Sequence, residues 1–252
     1  MGLRRRTVVG DLALLRRTLA ATFETYAAEV IARREKCIVA LPGGSVATAF
    51  FPTLAASAVD WARVEMFWID ERAVPPDHPD SNYAVASRLL LMPARVPLAR
   101  IHRMPGELTE LEQAARRAAD ELKSIAGDPP HLDLALVGVG DDGHVASLFP
   151  GSALLDERRR HVAAVRDSPK PPAGRLTLTL AAIAAARLLV VTALGETKAG
   201  AVALALRAPS SRLPLALALA AAGRSCLLLD PAAARELAPA RFPASSPGPE
   251  LL

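Results

Sequence analysis

Cysteine is nearly absent: the 252 residues include only Cys37 and Cys226. Both sit in apolar runs, "CIVAL" and "CLLLD", which suits two buried free thiols in a reducing, cytoplasmic setting. Neither CxxC nor HExxH spacing occurs, so the usual structural-zinc and zincin patterns are excluded and no metal is expected. Long apolar runs are missing too. The longest, such as "LPLALALAAAG", are too short to span a bilayer, and no membrane partner is expected. Aromatics are scarce while Ala, Leu and Arg are abundant, a composition that suits a helix-rich α/β protein. The formal net charge is only +4, spread along the chain. That is too little to argue for a nucleic-acid partner, but it has the right sign for an anionic small substrate.

The opening "MGLRRRTVVGDLALLRRTLA" places basic residues before an apolar patch, as signal peptides do. Arg16 and Arg17 interrupt that patch too soon, and the stretch reads as an amphipathic helix. Further on, apolar runs read as strands: "KCIVAL", "VEMFWID", "LDLALVGV", "RLTLTL", "RLLVVTAL" and "SCLLLD". Most are continuously apolar, which suits parallel strands covered on both faces. Helical patterns fall between them at 11–34, 45–57, 81–91, 109–126 and 197–206. The alternation predicts an α/β fold with a doubly wound, mostly parallel, Rossmann-like sheet and helices on both faces. "RIHRM" and "HVAAV" are candidate accessory strands, leaving room for a small accessory subdomain. No long linker interrupts the chain. Residues 1–241 are expected to form one α/β domain, and the Pro/Ser-rich tail 242–252 to be disordered.

Chemistry-bearing residues gather where strands end. In "CIVALPGGSVATAFF" a strand runs into Gly43, Gly44 and Ser45 before a helix. Glycines allow close backbone approach, Ser45 is placed to cap the helix, and the free N–H groups there attract phosphate. The same turn also serves as an ordinary strand-to-helix connection; it is not a Walker loop, because no Gly-Lys-Ser/Thr follows. In "VEMFWIDERAVPPDHPDSNY" the triplet Asp70-Glu71-Arg72 lies at a strand's carboxyl end, where open α/β sheets bind ligands. Arg72 suits a phosphate or carboxylate, and Asp80 or Ser81 reads as a helix cap.

The third stretch, "GVGDDGHVASLFPG", sets His144 between glycines beside Asp141 and Asp142. An imidazole with a carboxylate neighbour is the commonest general base near neutral pH. The other histidines, His78, His102, His131 and His161, lack such surroundings and read as surface or structural. Lys198, in "LGETKAGAV", falls in the first turn of a helix, where a cation opposes the dipole unless an anion is near. Arg175 opens "RLTLTL" and is a weaker candidate anion ligand.

Taken together, and in this order, these stretches resemble the 6-phosphogluconolactonase family: Gly43–Ser45, Asp70–Arg72 with Ser81–Tyr83, Gly138–Gly151, Arg175–Thr179 and Gly195–Lys198. "LLLDPAAA" looks like the family's last strand and helix start. The Asp-Gly-His…Ser-Leu-Phe-Pro-Gly element is the most specific of these. Val46 stands where Pro usually follows the Gly-Gly-Ser loop, and Val145 where Thr commonly follows the His.

The resemblance implies hydrolysis of 6-phospho-D-glucono-1,5-lactone in the oxidative pentose phosphate pathway, without a cofactor, by a monomer or homodimer. His144 is then the general base and Asp142 its orienting partner, expected to move the imidazole pKa upward. Gly43 and Gly44 supply oxyanion donors. Gly43, Gly44, Ser45, Asp70, Arg72, Arg175 and Lys198 contact the substrate, with Arg72, Lys198 and Arg175 on its phosphate. Two alternatives stay open. One is a sugar-phosphate isomerase or deaminase of the same superfamily, although the Glu that follows its Asp-Gly-His turn is missing from "VASLFPG". The other is a non-catalytic sugar-phosphate sensor.

Overall fold

The computed structural model describes residues 4–237; the tail expected at 242–252 lies outside the described residues. In chain order the elements are β1 (Arg4–Val9), α1 (Leu12–Arg34), β2 (Cys37–Leu41), α2 (Gly44–Ala55), β3 (Val64–Trp68), β4 (Asp70–Arg72) and α3 (Asn82–Ala86, continued by a π-turn). There follow α4 (Leu111–Ala126), β5 (Leu134–Gly138), β6 (Val162–Val165), β7 (Arg175–Leu178), α5 (Leu180–Ala184), β8 (Leu188–Ala193), α6 (Ala199–Arg207), α7 (Pro214–Ala221) and β9 (Arg224–Leu229). Six strands make one sheet in the order β1-β9-β8-β5-β2-β3, with every pairing parallel.

The continuously apolar runs are explained by this sheet, because alternate residues go to opposite faces and both faces are covered. In β2, Cys37, Val39 and Leu41 enter one apolar cluster while Ile38 and Ala40 enter the other. In β5, Leu134 and Leu136 face the first, Ala135 and Val137 the second. The first cluster is closed by α1 and α2 through Leu15, Phe23, Phe50 and Phe51. The second is closed by α4, α6 and α7 through Leu122, Val202 and Leu215. Both cysteines are buried and free, as the sequence suggests.

Three expectations change. The N-terminal stretch is not helical from its start: Arg4–Val9 is a strand, paired with β9 at the sheet edge. Three successive arginines hide its β character, yet an edge strand tolerates charge, which also blunts pairing with other chains. The helix begins only after Asp11, whose carboxylate accepts the Leu14 N–H at 2.7 Å.

The run "VEMFWID" is also not one strand. The chain leaves the main sheet after Trp68, and Asp70–Arg72 joins a second, antiparallel sheet of order β4-β7-β6. "RLTLTL" belongs to that second sheet too. Its Leu176 and Leu178 enter the core while Arg175 and Thr177 take the other face, the period-two alternation of an antiparallel strand. Of the two accessory candidates, "HVAAV" is β6. "RIHRM" contributes only an isolated bridge from Ile101 to Met66.

Strand order also positions the site. From β2 the chain moves outward to β3, then returns to β5 on the other flank of β2. The carboxyl ends of β2 and β5 therefore frame the point where strand order reverses, the usual crevice for a ligand in such sheets.

Candidate active site

A cavity of about 310 Å³ opens at that crevice. The loops after β2, β3, β5 and β8 line it, together with the segment before β7. Gly43, Gly44, Ser45, Asp70, Arg72, His144, Arg175 and Lys198 all face it. Asp142 stands behind His144.

His144 Nδ1 lies 2.6 Å from Asp142 Oδ1, which also accepts the His144 backbone N–H at 3.1 Å. Burial works against the charge of Asp142, but the two His144 donors outweigh it and hold the carboxyl below its ordinary value. An ionised Asp142 only accepts hydrogen bonds, so Nδ1 carries the proton and Nε2 is left as the basic nitrogen. The imidazole's own pKa moves opposite to expectation. Burial lowers it, and the hydrogen bond and charge of Asp142 restore only part. The sequence could not show that the ring, only 17% exposed, packs on Phe149 with centroids 4.6 Å apart. The imidazole explains the glycine at position 140: a Cβ on Gly140 would fall 2.0 Å from Nδ1. Val145 is fully buried, so the position after the His faces the core, not the cleft.

Across the cavity α2 begins. Gly43, not Ser45, is its N-cap, and no side chain caps it; Ser45 is already inside the first turn. The N–H groups of that turn have no intrahelical partner and sit at the positive end of the helix dipole. Gly43 is glycine because Asn82 fills the space beside it: a Cβ would meet Asn82 Oδ1 at 1.7 Å. Asn82 is buried and donates Nδ2 to the Asp70 carbonyl at 2.8 Å and to its carboxylate at 3.2 Å.

The Asp-Glu-Arg triplet divides its labour. Glu71 is a clamp, accepting the N–H groups of Arg72, Asn82 and Tyr83 at 2.7–2.8 Å and the Ser81 hydroxyl at 3.1 Å. It ties β4 to the start of α3, where Ser81 is the cap expected. Asp70 is buried and accepts the Ser147 hydroxyl at 2.7 Å. Arg72 donates Nη1 to the Asp80 carbonyl at 2.6 Å, while its buried Nε has no hydrogen-bond partner among the described residues.

Arg175 lines the cavity, but its guanidinium is taken up by the carbonyls of Lys170, Pro171 and Pro172 at 2.9–3.1 Å and by Ser147 Oγ at 3.4 Å. Nη1 also lies 3.9 Å from Asp70 Oδ2, so the guanidinium braces this loop and still lines the cavity. Lys170, Asn82 and Ser147 were not singled out in the sequence as site residues, although Asn82 lies within the Ser81–Tyr83 motif. Ser147 lies inside the His144 signature, and Lys170 is the cation in "DSPKPPAG".

Asp141, Asp142 and His144 offer ligand-type atoms within 4.8 Å of one another. Asp141 pairs with Lys170 and Asp142 with His144, so a cation would have to break both contacts.

Residues 10–227 match the family model described as "Glucosamine-6-phosphate isomerases/6-phosphogluconolactonase". The chain is 37% identical over 240 residues to a 6-phosphogluconolactonase of Mycobacterium leprae, covering 91% of this chain and 94% of that one. It is 38% identical over 227 residues to the human 6-phosphogluconolactonase, covering 83% and 88%. Among solved structures, the 6-phosphogluconolactonase of Trypanosoma brucei superposes with a TM-score of 0.81 at 26% identity, covering 94% of this chain and all of that one.

Proposed function

This chain belongs to the glucosamine-6-phosphate isomerase/6-phosphogluconolactonase family, and from that premise we propose that it opens 6-phospho-D-glucono-1,5-lactone to 6-phosphogluconate with His144 as the general base. The observation that carries the base assignment is the 2.6 Å Asp142–His144 pair facing a cavity that holds Lys198, Arg72 and the start of α2.

The chemistry follows from the side chains. Nε2 of His144 takes a proton from water as that water attacks the lactone carbonyl. The carbonyl oxygen becomes an oxyanion, and the free N–H groups of Gly44 and its neighbours stabilise it. When the bond from that carbon to the ring oxygen breaks, the imidazolium returns its proton to the ring oxygen. Asp142 keeps Nδ1 protonated throughout, so the ring presents the same basic nitrogen at each turn. Lys198 and Arg72 bind the phosphate, which fixes the reacting carbon without taking part in proton transfer. Arg175 and Asn82 hold Asp70 and the loops around it.

Among the described residues no helix is long and apolar enough to cross a membrane. With two buried free thiols, this supports the cytoplasm as the place of the reaction.

Lactone opening releases acid, so a pH-stat follows it directly. The protein should release acid from the phosphorylated lactone well above the spontaneous rate, and no ammonia from glucosamine 6-phosphate. Ammonia release without lactone opening would replace this reading with the deaminase one.

A further inference from the structure

The peptide that joins Gly143 to His144 is held on both of its edges. Its N–H, that of His144, donates to Asp142 Oδ1 at 3.1 Å. Its carbonyl, that of Gly143, accepts the Leu215 N–H at 3.1 Å from the start of α7. A peptide is planar, so fixing the carbonyl also fixes the direction of the N–H. The hold of Leu215 is thereby passed to the carboxylate that lies 2.6 Å from Nδ1 of His144.

The sequence of α7 explains why it reaches for that carbonyl. The first N–H groups of a helix have no partner within it. No side chain caps α7, and Pro214 at its first position has no N–H to offer. Leu215 is therefore the first helical residue with a donor, and the Gly143 carbonyl takes it up. The helix is itself anchored, because Leu215, Ala216, Ala218 and Leu219 are buried in the second apolar cluster.

Leu213, the N-cap of α7, closes on the same turn with its side chain. A Cβ on Gly143 would meet Leu213 Cγ and Cδ1 at 2.6 Å each and Cδ2 at 2.7 Å. Gly143 also has φ near +80°, a conformation that costs glycine nothing sterically. The glycine of the Asp-Gly-His element thus answers to α7 as well as to its own backbone.

We propose that the start of α7 positions the base: Leu213 and Leu215 set the Gly143–His144 peptide so that Asp142 is aimed at Nδ1. Both are positioning residues, with no contact to substrate. This rests on the lactonase reading above.

The test compares Leu213→Ala with Leu217→Ala, which trims another half-buried leucine one turn further along the same helix. The pH-stat gives kcat and KM for the lactone. Low-field proton NMR follows the Nδ1 proton, assigned by its loss in His144→Ala. Leu213→Ala should lower kcat by up to about 10²-fold, the cost of a misplacement of about 1 Å, with KM little changed. The Nδ1 resonance should move upfield or broaden as its hydrogen bond to Asp142 loosens. Leu217→Ala should change neither, and Leu213→Met, which keeps most of the volume, should restore kcat. In the Asp142→Asn background Leu213→Ala should cost little more, because the two act through one contact.

An unchanged kcat or an unmoved resonance in folded Leu213→Ala would overturn the proposal. So would the same changes in Leu217→Ala, or an undiminished loss in the Asp142→Asn background. Should Leu213→Ala fail to fold, Leu213→Val makes the same comparison with less volume removed. A wild type that opens no lactone would sink the functional reading alone, and the Nδ1 resonance would still decide the role of α7.

Discussion

The main sheet has a cleft at each end, and the larger one is not where the chemistry gathers. At the amino ends of the strands a cavity of about 720 Å³ is lined by Tyr26, Arg33, Arg34, Asp133, Arg187 and Arg224 among others. At the carboxyl ends the proposed site encloses about 310 Å³. Counting arginines or volume would favour the wrong end.

The difference lies in what the helices present. At the amino edge α1 terminates, with Arg33 and Arg34 in its last turn, where cations complement the negative end of the dipole. Asp133, 2% exposed, accepts the Ile38 N–H at 2.9 Å and meets Arg34 and Arg187 at 3.4 Å each. The charges of that cleft answer its own backbone and one another. At the carboxyl edge α2 begins, and its open N–H groups add to the cations. There Asp142 serves a histidine that keeps a nitrogen free.

Substitutions at the two ends should therefore diverge, and the largest effect is expected at His144. His144→Ala should lower kcat by roughly 10²–10⁴-fold, the usual worth of a positioned acid–base group, with KM little changed. Near-wild-type kcat in a folded variant would remove the base. Gly140→Ala comes next. Its Cβ would fall 2.0 Å from the imidazole, and a displacement of about 1 Å can cost on the order of 10²-fold in rate; circular dichroism should show the fold intact. Lys198→Ala should raise KM about ten- to a hundredfold, as expected for a lost hydrogen bond to a charged group. The loss should shrink on unphosphorylated gluconolactone, which lacks the group that Lys198 binds. Equal losses would put Lys198 at the reacting carbon. At the amino edge, Arg224→Ala should leave kcat/KM unchanged and shift unfolding free energy by no more than about 0.5 kcal/mol. A clear kinetic defect there would break the contrast between the two ends.

The same contrast marks what the sequence could say. Motifs at the carboxyl edge were legible because the proposed acid–base chemistry calls for particular residue types next to glycines, as in Gly140–His144. The parallel sheet was legible because burial on both faces leaves continuous apolar runs such as Cys37–Leu41. The edge strand Arg4–Val9 was hidden, since partial exposure lets arginines stand where apolar residues would signal a strand. The split of "VEMFWID" into two sheets was hidden because the break at Ile69 depends on β7, more than a hundred residues away. In β7 itself the alternation of Arg175 and Thr177 with Leu176 and Leu178 was a readable sign of an antiparallel strand. Lys170 was hidden for a third reason: nothing in "DSPKPPAG" shows that Arg175 folds that loop back over the cavity.

The proposed base is a neutral imidazole, kept basic at Nε2 by an ionised Asp142. The base works only when neutral, so activity falls as the pH drops through the His144 pKa. Burial lowers that pKa, Asp142 and Asp70 raise it, and Lys170 lowers it; Arg72 and Lys198 also face the cavity. The net shift is downward, so the acid limb of kcat/KM should have its midpoint below about 6.5, the value of an unperturbed histidine. The phosphate of the natural substrate titrates near pH 6 as well, so the profile should be measured with the phosphorylated and the unphosphorylated lactone. In Asp142→Asn the upward contribution is lost while burial remains, and the midpoint should move lower still. A midpoint above about 6.5 on both substrates, or an upward shift in Asp142→Asn, would contradict the account.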